Sequence, residues 1–423
     1  KRPPGVNPLW ARFQSPAPSD WGTRSVGSLG EDTKGRLPGD LQETPFEGSK
    51  PYLLIEGLLT GIPQGFTGQT GLPECMESDT VVVADGSRSG LALRGRPGVL
   101  GSTLLSYRAL PEVDDGFLYH LIESLYEFLN KAPTGGAIPH LDQDLLASLK
   151  VVVPPTREEQ TRIAETLKAA DYQIRAIEEQ LRKAVNVKKA IVEQGTAIGL
   201  RANAKTKHTK RYGYDFATNA MWEQVELRTL KPLIDYGTNQ SSNDQKAGNP
   251  VIAIPQVLTS RFALGELPFA EVPDKERDSL ALKPHDVLVV RTNGNPSYIG
   301  RSTVIPEDVL DRVTIFASYL IRIRLDETRL RGAFLNYVLL SQTGRRQSTC
   351  LANTSAGNFN LGARSLSKFL IPLPKPEEQD EIIEAINGAD DLVLDLQKHL
   401  TAARRMKQSL LQNLLTGKIR LKG

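Results

Sequence analysis

Apolar or small residues recur at Ile163, Leu167, Ala170, Ile174, Ile177, Leu181 and Ala184, with steps that alternate between four and three. The same steps return at Ile382, Ile386, Ala389, Val393, Leu396, Leu400 and Ala403. A seam of this kind, flanked by charged positions, predicts two long helices able to pack against each other as a coiled coil. Each seam follows a proline stop and an acidic first turn: Pro154-Pro155 with Glu158-Glu159, and Pro374 and Pro376 with Glu377-Glu378. Acidic groups suit the positive end of a helix dipole, so both are credible helix starts. A helix from Glu158 to Ile198 would be on the order of 60 Å long at the usual rise per residue.

The two segments are copies. Val151–Arg201 aligns without a gap on Leu370–Arg420, an offset of 219 residues that superposes Glu158-Glu159-Gln160 on Glu377-Glu378-Gln379. Ile163, Glu165, Ala170, Asp171, Leu181, Ala184, Lys188 and Arg201 also meet identical residues. A period this long is a whole domain plus a helix, not a solenoid unit. Parallel pairing of the helices would stack Lys188 on Lys407 and need the chain to travel back along the rod. Antiparallel pairing avoids both, sets the globular regions at opposite ends of the rod, and creates a pseudo-two-fold axis.

The regions before each helix alternate like strands. Thr80–Val83 and Val287–Val290 are short apolar runs that end in turn-forming residues, as buried strands feeding exposed loops do. Three stretches match between the halves: Trp21-GTRSVGSL with Trp222-EQVELRTL, Pro51-YLLIEGLLT with Pro250-VIAIPQVLT, and Asp79-TVVVADGSRSG with Asp286-VLVVRTNGNPSYIG. The expectation is an α+β chain with an internal repeat. Globular regions span 1–150 and 215–370, long helices span 151–201 and 371–423, and a basic linker fills 202–214.

The apolar fraction of 39% in 423 residues suffices for ordinary cores, and no run approaches 18 apolar residues. The start lacks the apolar stretch of a signal peptide, so a cytoplasmic chain is expected. Cys75 and Cys350 fall in different halves, without metal-ligand spacing. The net charge is only +3, but many acids lie on the two helices, which leaves the globular regions and the connector RANAKTKHTKR more basic.

Catalytic motifs are scarce. Asn295-Pro296-Ser297-Tyr298 is similar to the Asn-Pro-Pro-Tyr motif of amino-methyltransferases, yet it lacks the second proline, and no glycine-rich cofactor loop follows a strand. No phosphate-binding GxxxxGK[ST] loop occurs, and His120, His140, His208, His285 and His399 have no spacing-matched partners. No catalytic or metal-ligating set is expected. Arginine and asparagine in loops can instead bond guanine and adenine edges, while backbone amides hold phosphates. The candidate DNA-binding residues are Arg88, Arg94, Arg96, Thr134 and His140 in the first half. In the second they are Arg291, Asn293, Asn295, Tyr298, Arg301, Arg345, Arg346, Asn353, Thr354 and Asn358.

Several stretches carry a family resemblance: ThrGlyGlyAlaIleProHisLeu (134–141) leading to LysValValValProPro and GluGluGln, AspGlySerArgSerGly (85–90) followed by GlyValLeuGlySerThr (98–103), ArgThrAsnGlyAsnPro (291–296), and LeuLeuThrGlyLysIleArg (414–420). On these the whole chain resembles the DNA-specificity subunit of type I restriction-modification systems. The resemblance implies two target-recognition domains, each reading one half of an asymmetric bipartite site, with the helices setting the spacer. It implies double-stranded DNA, two adenine-methyltransferase subunits and restriction-translocase subunits as partners. S-adenosylmethionine, ATP and magnesium would reside on those partners, leaving this chain a non-catalytic address. A solitary or related-system specificity protein, a coiled-coil scaffold without DNA contact, and an enzyme with an unfamiliar site remain as alternatives.

Overall fold

The computed structural model describes residues 18–132, 139–243, 245–258, 262, 264–355 and 357–421. They form a mixed helix and strand structure that divides into two compact units. The first comprises the chain up to Glu179 together with Gln397 onward, and the second comprises Gln180–Leu396. Among the described residues no helix is long and apolar enough to cross a membrane.

In the first unit four antiparallel strands lie in the order Gly30–Lys34, Leu104–Ala109, Thr80–Val83, Ala92–Arg94. A second sheet joins Gly65–Thr67, Lys50–Leu53, Gly98–Leu100 and Glu74–Cys75, with the middle pair parallel. Gly22–Ser25 pairs with Lys150–Val153. The second unit repeats this plan. Its four-stranded sheet runs Leu233–Tyr236, Leu320–Arg324, Val287–Val290, Ser302–Val304. A companion sheet joins Phe269–Ala270, Asn249–Ile252 and Ile315–Phe316, again with one parallel pair, and Glu223–Glu226 pairs with Leu370–Leu373. The three matched sequence stretches therefore occupy equivalent strands. Thr80–Val83 and Val287–Val290 are buried along their full length, as central strands covered on both faces must be.

The long helices are Arg157–Ala197 and Pro376–Leu415, which begin at equivalent positions. Residues 151–153 and 371–373, expected within the helix spans, are strand residues of the domains, because the prolines that follow hold the residues before them extended and each helix begins only beyond that point. Along the seams Ile163, Leu167, Ile382, Ile386 and Val393 are buried, whereas Ile174, Ile177, Leu181, Leu396 and Leu400 are half-buried.

Within each unit the two helices run antiparallel. In the first, Lys407 pairs with Asp171 at 2.6 Å and Arg404 with Glu178 at 2.7 Å. In the second, Lys188 pairs with Asp390, the same two residue types at the positions one repeat away. Each unit thus holds the first half of one helix and the second half of the other.

The segment expected to be a linker is largely folded. Thr206–Arg211 and Tyr214–Asn219 form a six-pair antiparallel hairpin. Tyr212 and Gly213 turn it with φ of 50° and 78°, the two-residue geometry that matches strand twist. Exposed Thr206, His208 and Lys210 alternate with half-buried Lys207, Thr209 and Arg211, a period of two that the charge count had hidden.

Two buried polar contacts brace each unit. Gln160 accepts from the amide of Asp114 at 2.9 Å and donates to the carbonyl of Pro154 at 3.2 Å. Gln379 accepts from Arg331 at 2.8 Å and donates to Pro374 at 2.9 Å. Each glutamine thereby fastens a long helix to the N-cap residue, Asp114 or Arg331, of a domain helix, Asp115–Ser124 or Gly332–Leu340. Asp79 and Asp286, both fully buried, are gripped at two points by Arg108 and Arg324.

Candidate nucleic-acid interface

In the second unit the buried strand Val287–Val290 leaves the core at Arg291. Its backbone is held on both sides: its amide donates to Tyr319 at 3.0 Å, and its carbonyl accepts from Leu361 at 2.8 Å. The guanidinium lies 4.7 Å over the ring of Tyr236 and donates to the carbonyl of Ser318 at 3.1 Å. Thr292–Asn293 then pairs with Asn358–Asn360, which pairs with Asn353–Ser355. Two segments more than 50 residues apart in sequence thus meet in one small sheet carrying Asn293, Asn353, Thr354 and Asn358.

The turn after this sheet is self-supporting. Asn293 accepts from the amide of Asn295 at 2.8 Å, and Asn295 accepts from that of Ser297 at 3.0 Å. Short polar side chains satisfy turn amides in this way. Arg345 clamps the far side through the carbonyls of Ser297, at 2.7 Å, and Ile299. Burial, with Arg301 nearby, lowers the pKa of Arg345 to about 10. Its donors are directed at protein carbonyls, so its place is under the loop. Arg301 makes a long contact to Ser297 at 3.4 Å, Tyr298 is exposed, and Arg346 lies 5.4 Å over Tyr214.

The first unit has an equivalent exit. The amide of Leu141 donates to the carbonyl of Ala84 at 2.7 Å, the counterpart of the Leu361 to Arg291 bond. Asp85 bridges to His140 in backbone pairing, and its carboxylate contacts His140 at 2.8 Å and Lys34 at 3.1 Å. Burial alone would raise the pKa of Asp85, but the bonds to His140 and Lys34 outweigh it and hold the carboxyl below its ordinary value. Arg88, on the adjoining turn, is paired with Glu56 at 2.8 Å.

Arg94 and Arg96 sit elsewhere. Arg94 is paired with Asp115 at 2.7 Å and lies 5.4 Å from the centre of the Tyr119 ring, and Arg96 donates to Leu58 at 2.8 Å. Both line a cleft of about 880 Å³ against Lys168 and Arg175 of the first long helix. Thr134 lies outside the described residues.

Sequence reasoning did not single out Lys34, Asp85 or Asn360. One signal was available: TGGAIPHL (134–141) and TSAGNFNL (354–361) share their ends and their place beside the strand exit, which makes His140 and Asn360 counterparts.

His120, Glu123 and Asp171 offer three ligand atoms within 4.8 Å of one another. The Lys407 ammonium bonds Glu123 at 2.6 Å and Asp171 at 2.6 Å, so an amine fills the position a cation would take. This is an ion-pair network that joins a domain helix to both long helices within the first unit. Cys75 is buried and Cys350 exposed, both as free thiols, and burial raises the pKa of Cys75 to about 11.

Residues 18–187 match the family model described as the type I restriction modification DNA specificity domain. The chain is similar to the type I restriction enzyme MjaVIII specificity subunit of Methanocaldococcus jannaschii, with 26% identity over 96% of this chain and 94% of that protein. It is 22% identical to the type I restriction enzyme EcoBI specificity subunit of Escherichia coli, over 87% of this chain and 80% of that one. Its fold is similar to the crystal structure of the S subunit of a type I restriction-modification system from M. genitalium, with a TM-score of 0.58 and 15% identity, covering 93% of this chain and 96% of the other. The resemblance drawn from the sequence motifs thus agrees with the family model and with relatives found over most of the chain.

Proposed function

We propose that this chain is the DNA-specificity subunit of a type I restriction-modification complex, and that each unit reads one half of an asymmetric bipartite site. The observation that carries this reading is the repeated strand exit. Each unit brings a short paired segment to the end of a fully buried strand, and the polar side chains differ between the two. Reading loops on rigid strands suit recognition, and different side chains at equivalent places suit different half-sites.

In this reading the long helices fix the unread spacer and present two equivalent faces, one for each methyltransferase subunit. Restriction-translocase subunits join that complex, and S-adenosylmethionine, ATP and magnesium belong to the partners. This chain contributes the address and no bond-making step. Its exposed arginines and lysines supply phosphate contacts, which release counterions on binding.

Mapping adenine methylation in cells with and without this chain tests the reading. One bipartite adenine motif should vanish when the chain is removed, and return with one half altered when residues 215–370 are exchanged for another recognition domain. An unchanged methylome in a strain expressing the partner methyltransferase overturns it.

A further inference from the structure

The small sheet of the second unit has two faces, and the register assigns its side chains to them. Directly paired residues share a face, and residues alternate along each strand. Asn353 pairs with Asn360, and Asn360 with Thr292. Asn358 is two residues from Asn360 on the same strand, so it joins that face. Thr354, Phe359 and Asn293 occupy the other, where Phe359 packs against the buried core of the unit. The face opposite the core therefore carries three asparagines. Asn353 and Asn358 are exposed and Asn360 is half-buried. None of their carboxamides has a hydrogen-bonding partner among the described residues, whereas Asn293 and Asn295 spend their oxygens on their own turn.

The outer pair of strands, Asn353–Ser355 with Asn358–Asn360, makes a two-stranded ribbon, the width that the DNA major groove admits. A carboxamide offers one donor and one acceptor side by side, which is the complement of adenine N6 and N7. Guanine presents two acceptors there, and the amide oxygen would oppose one of them. From this we infer that Asn353, Asn358 and Asn360 form the base-reading face of the second unit and select adenine in its half-site. The inference rests on the DNA-reading function proposed above and names both the residues and the base. Asn293, Asn295 and Arg345 are positioning residues: they hold the Arg291–Arg301 turn on which the ribbon leans, with Gly294 beside the Asn358 carboxamide.

The test selects sites for the full chain from a pool of randomised duplexes, then repeats the selection with Asn358→Ala and Asn353→Ala. The unaltered chain should select a half-site containing adenine. Each variant should lose discrimination at one adenine by about tenfold or more, with the slope of affinity against salt unchanged because no phosphate contact is removed. Replacing that adenine with 7-deaza-adenine, which lacks N7, should weaken the unaltered chain by a similar factor and leave the matching variant unaffected, since contacting groups are not additive. The inference is overturned if both variants select the same half-site at the same affinity, or if their loss appears as a reduced salt slope. If the unaltered chain selects no sequence at all, the proposed function falls and takes this inference with it.

Discussion

Asp79 and Asp286 occupy the same buried place in the two units, and each is held by an arginine from the neighbouring strand and bonded by a backbone amide three residues earlier. Two residues along that neighbouring strand the likeness ends. The second unit buries Arg322 against Asp235 and the carbonyls of Ser279 and Ala281, where the register of the first unit places the small Ser106. At the strand exit the divergence is wider, with a Lys34–Asp85–His140 cluster on one side and an asparagine ribbon on the other. The grip on the buried aspartate recurs in both units, whereas the buried Arg322 contacts and the groups at the exit do not. Groups that face solvent carry no such constraint, because a buried polar group without its partner costs free energy and an exposed one does not.

The sharpest way to break the comparison is at the paired lysines. Lys407 neutralises two carboxylates and Lys188 neutralises one. Lys407→Met should destabilise the protein by about 3–5 kcal/mol and Lys188→Met by less than half of that, read from denaturant unfolding midpoints. Equal losses would mean that the extra partner, Glu123, contributes nothing. Burial raises the Glu123 pKa, but His120 and Lys407 outweigh it and leave it below its ordinary value. A lowered carboxyl pKa stabilises the fold above the ordinary glutamate range, and that stability is lost as pH falls through the folded value. The Lys407→Met deficit should therefore be largest near neutrality and shrink on acidification below the ordinary carboxylate range.

The glutamine fasteners test the likeness itself. Gln160→Ala and Gln379→Ala should each cost about 2–3 kcal/mol by leaving buried backbone groups unpaired, with Gln379 slightly the larger because it also bonds Arg329. The smallest difference concerns the tryptophans. Trp222 donates its indole N–H to Glu378 at 3.0 Å, whereas that of Trp21 is buried without a partner among the described residues, its counterpart acid Glu159 being engaged by Arg420. Trp222→Phe should cost about 1 kcal/mol more than Trp21→Phe in thermal unfolding.

Much of this frame was legible in the chain because it depends on periodicity. The seam from Ile163 to Leu181, the helix starts and the apolar strands at Thr80 and Val287 are statements about which residues avoid water, and those survive in a linear string. The hairpin at 206–219 was obscured, since its lysines and histidine read as a charged connector while the alternation beneath them is weak. The site was read only in part. Asn293 and Asn353 could each be noticed, but the register that puts Asn360 beside Asn353 and turns Thr354 toward the core side is a pairing between distant segments. Local sequence does not encode it. The contacts of Arg345 were hidden for the same reason: nothing near it in the chain announces the carbonyls of Ser297 and Ile299.

The division of each helix between the units also sets a timetable for synthesis. The core of the first unit gathers Trp21 with Leu414 and Leu415, and Arg420 closes on Asp20 and Glu159. At roughly 5–20 residues per second a ribosome needs on the order of half a minute to connect those ends. The second unit is contiguous from Gln180 to Leu396, so it can finish folding first although it is encoded second. For that interval the nascent first domain must keep an incomplete apolar surface from aggregating, which makes the arrival of the segment from Gln397 onward the step that ends its exposure.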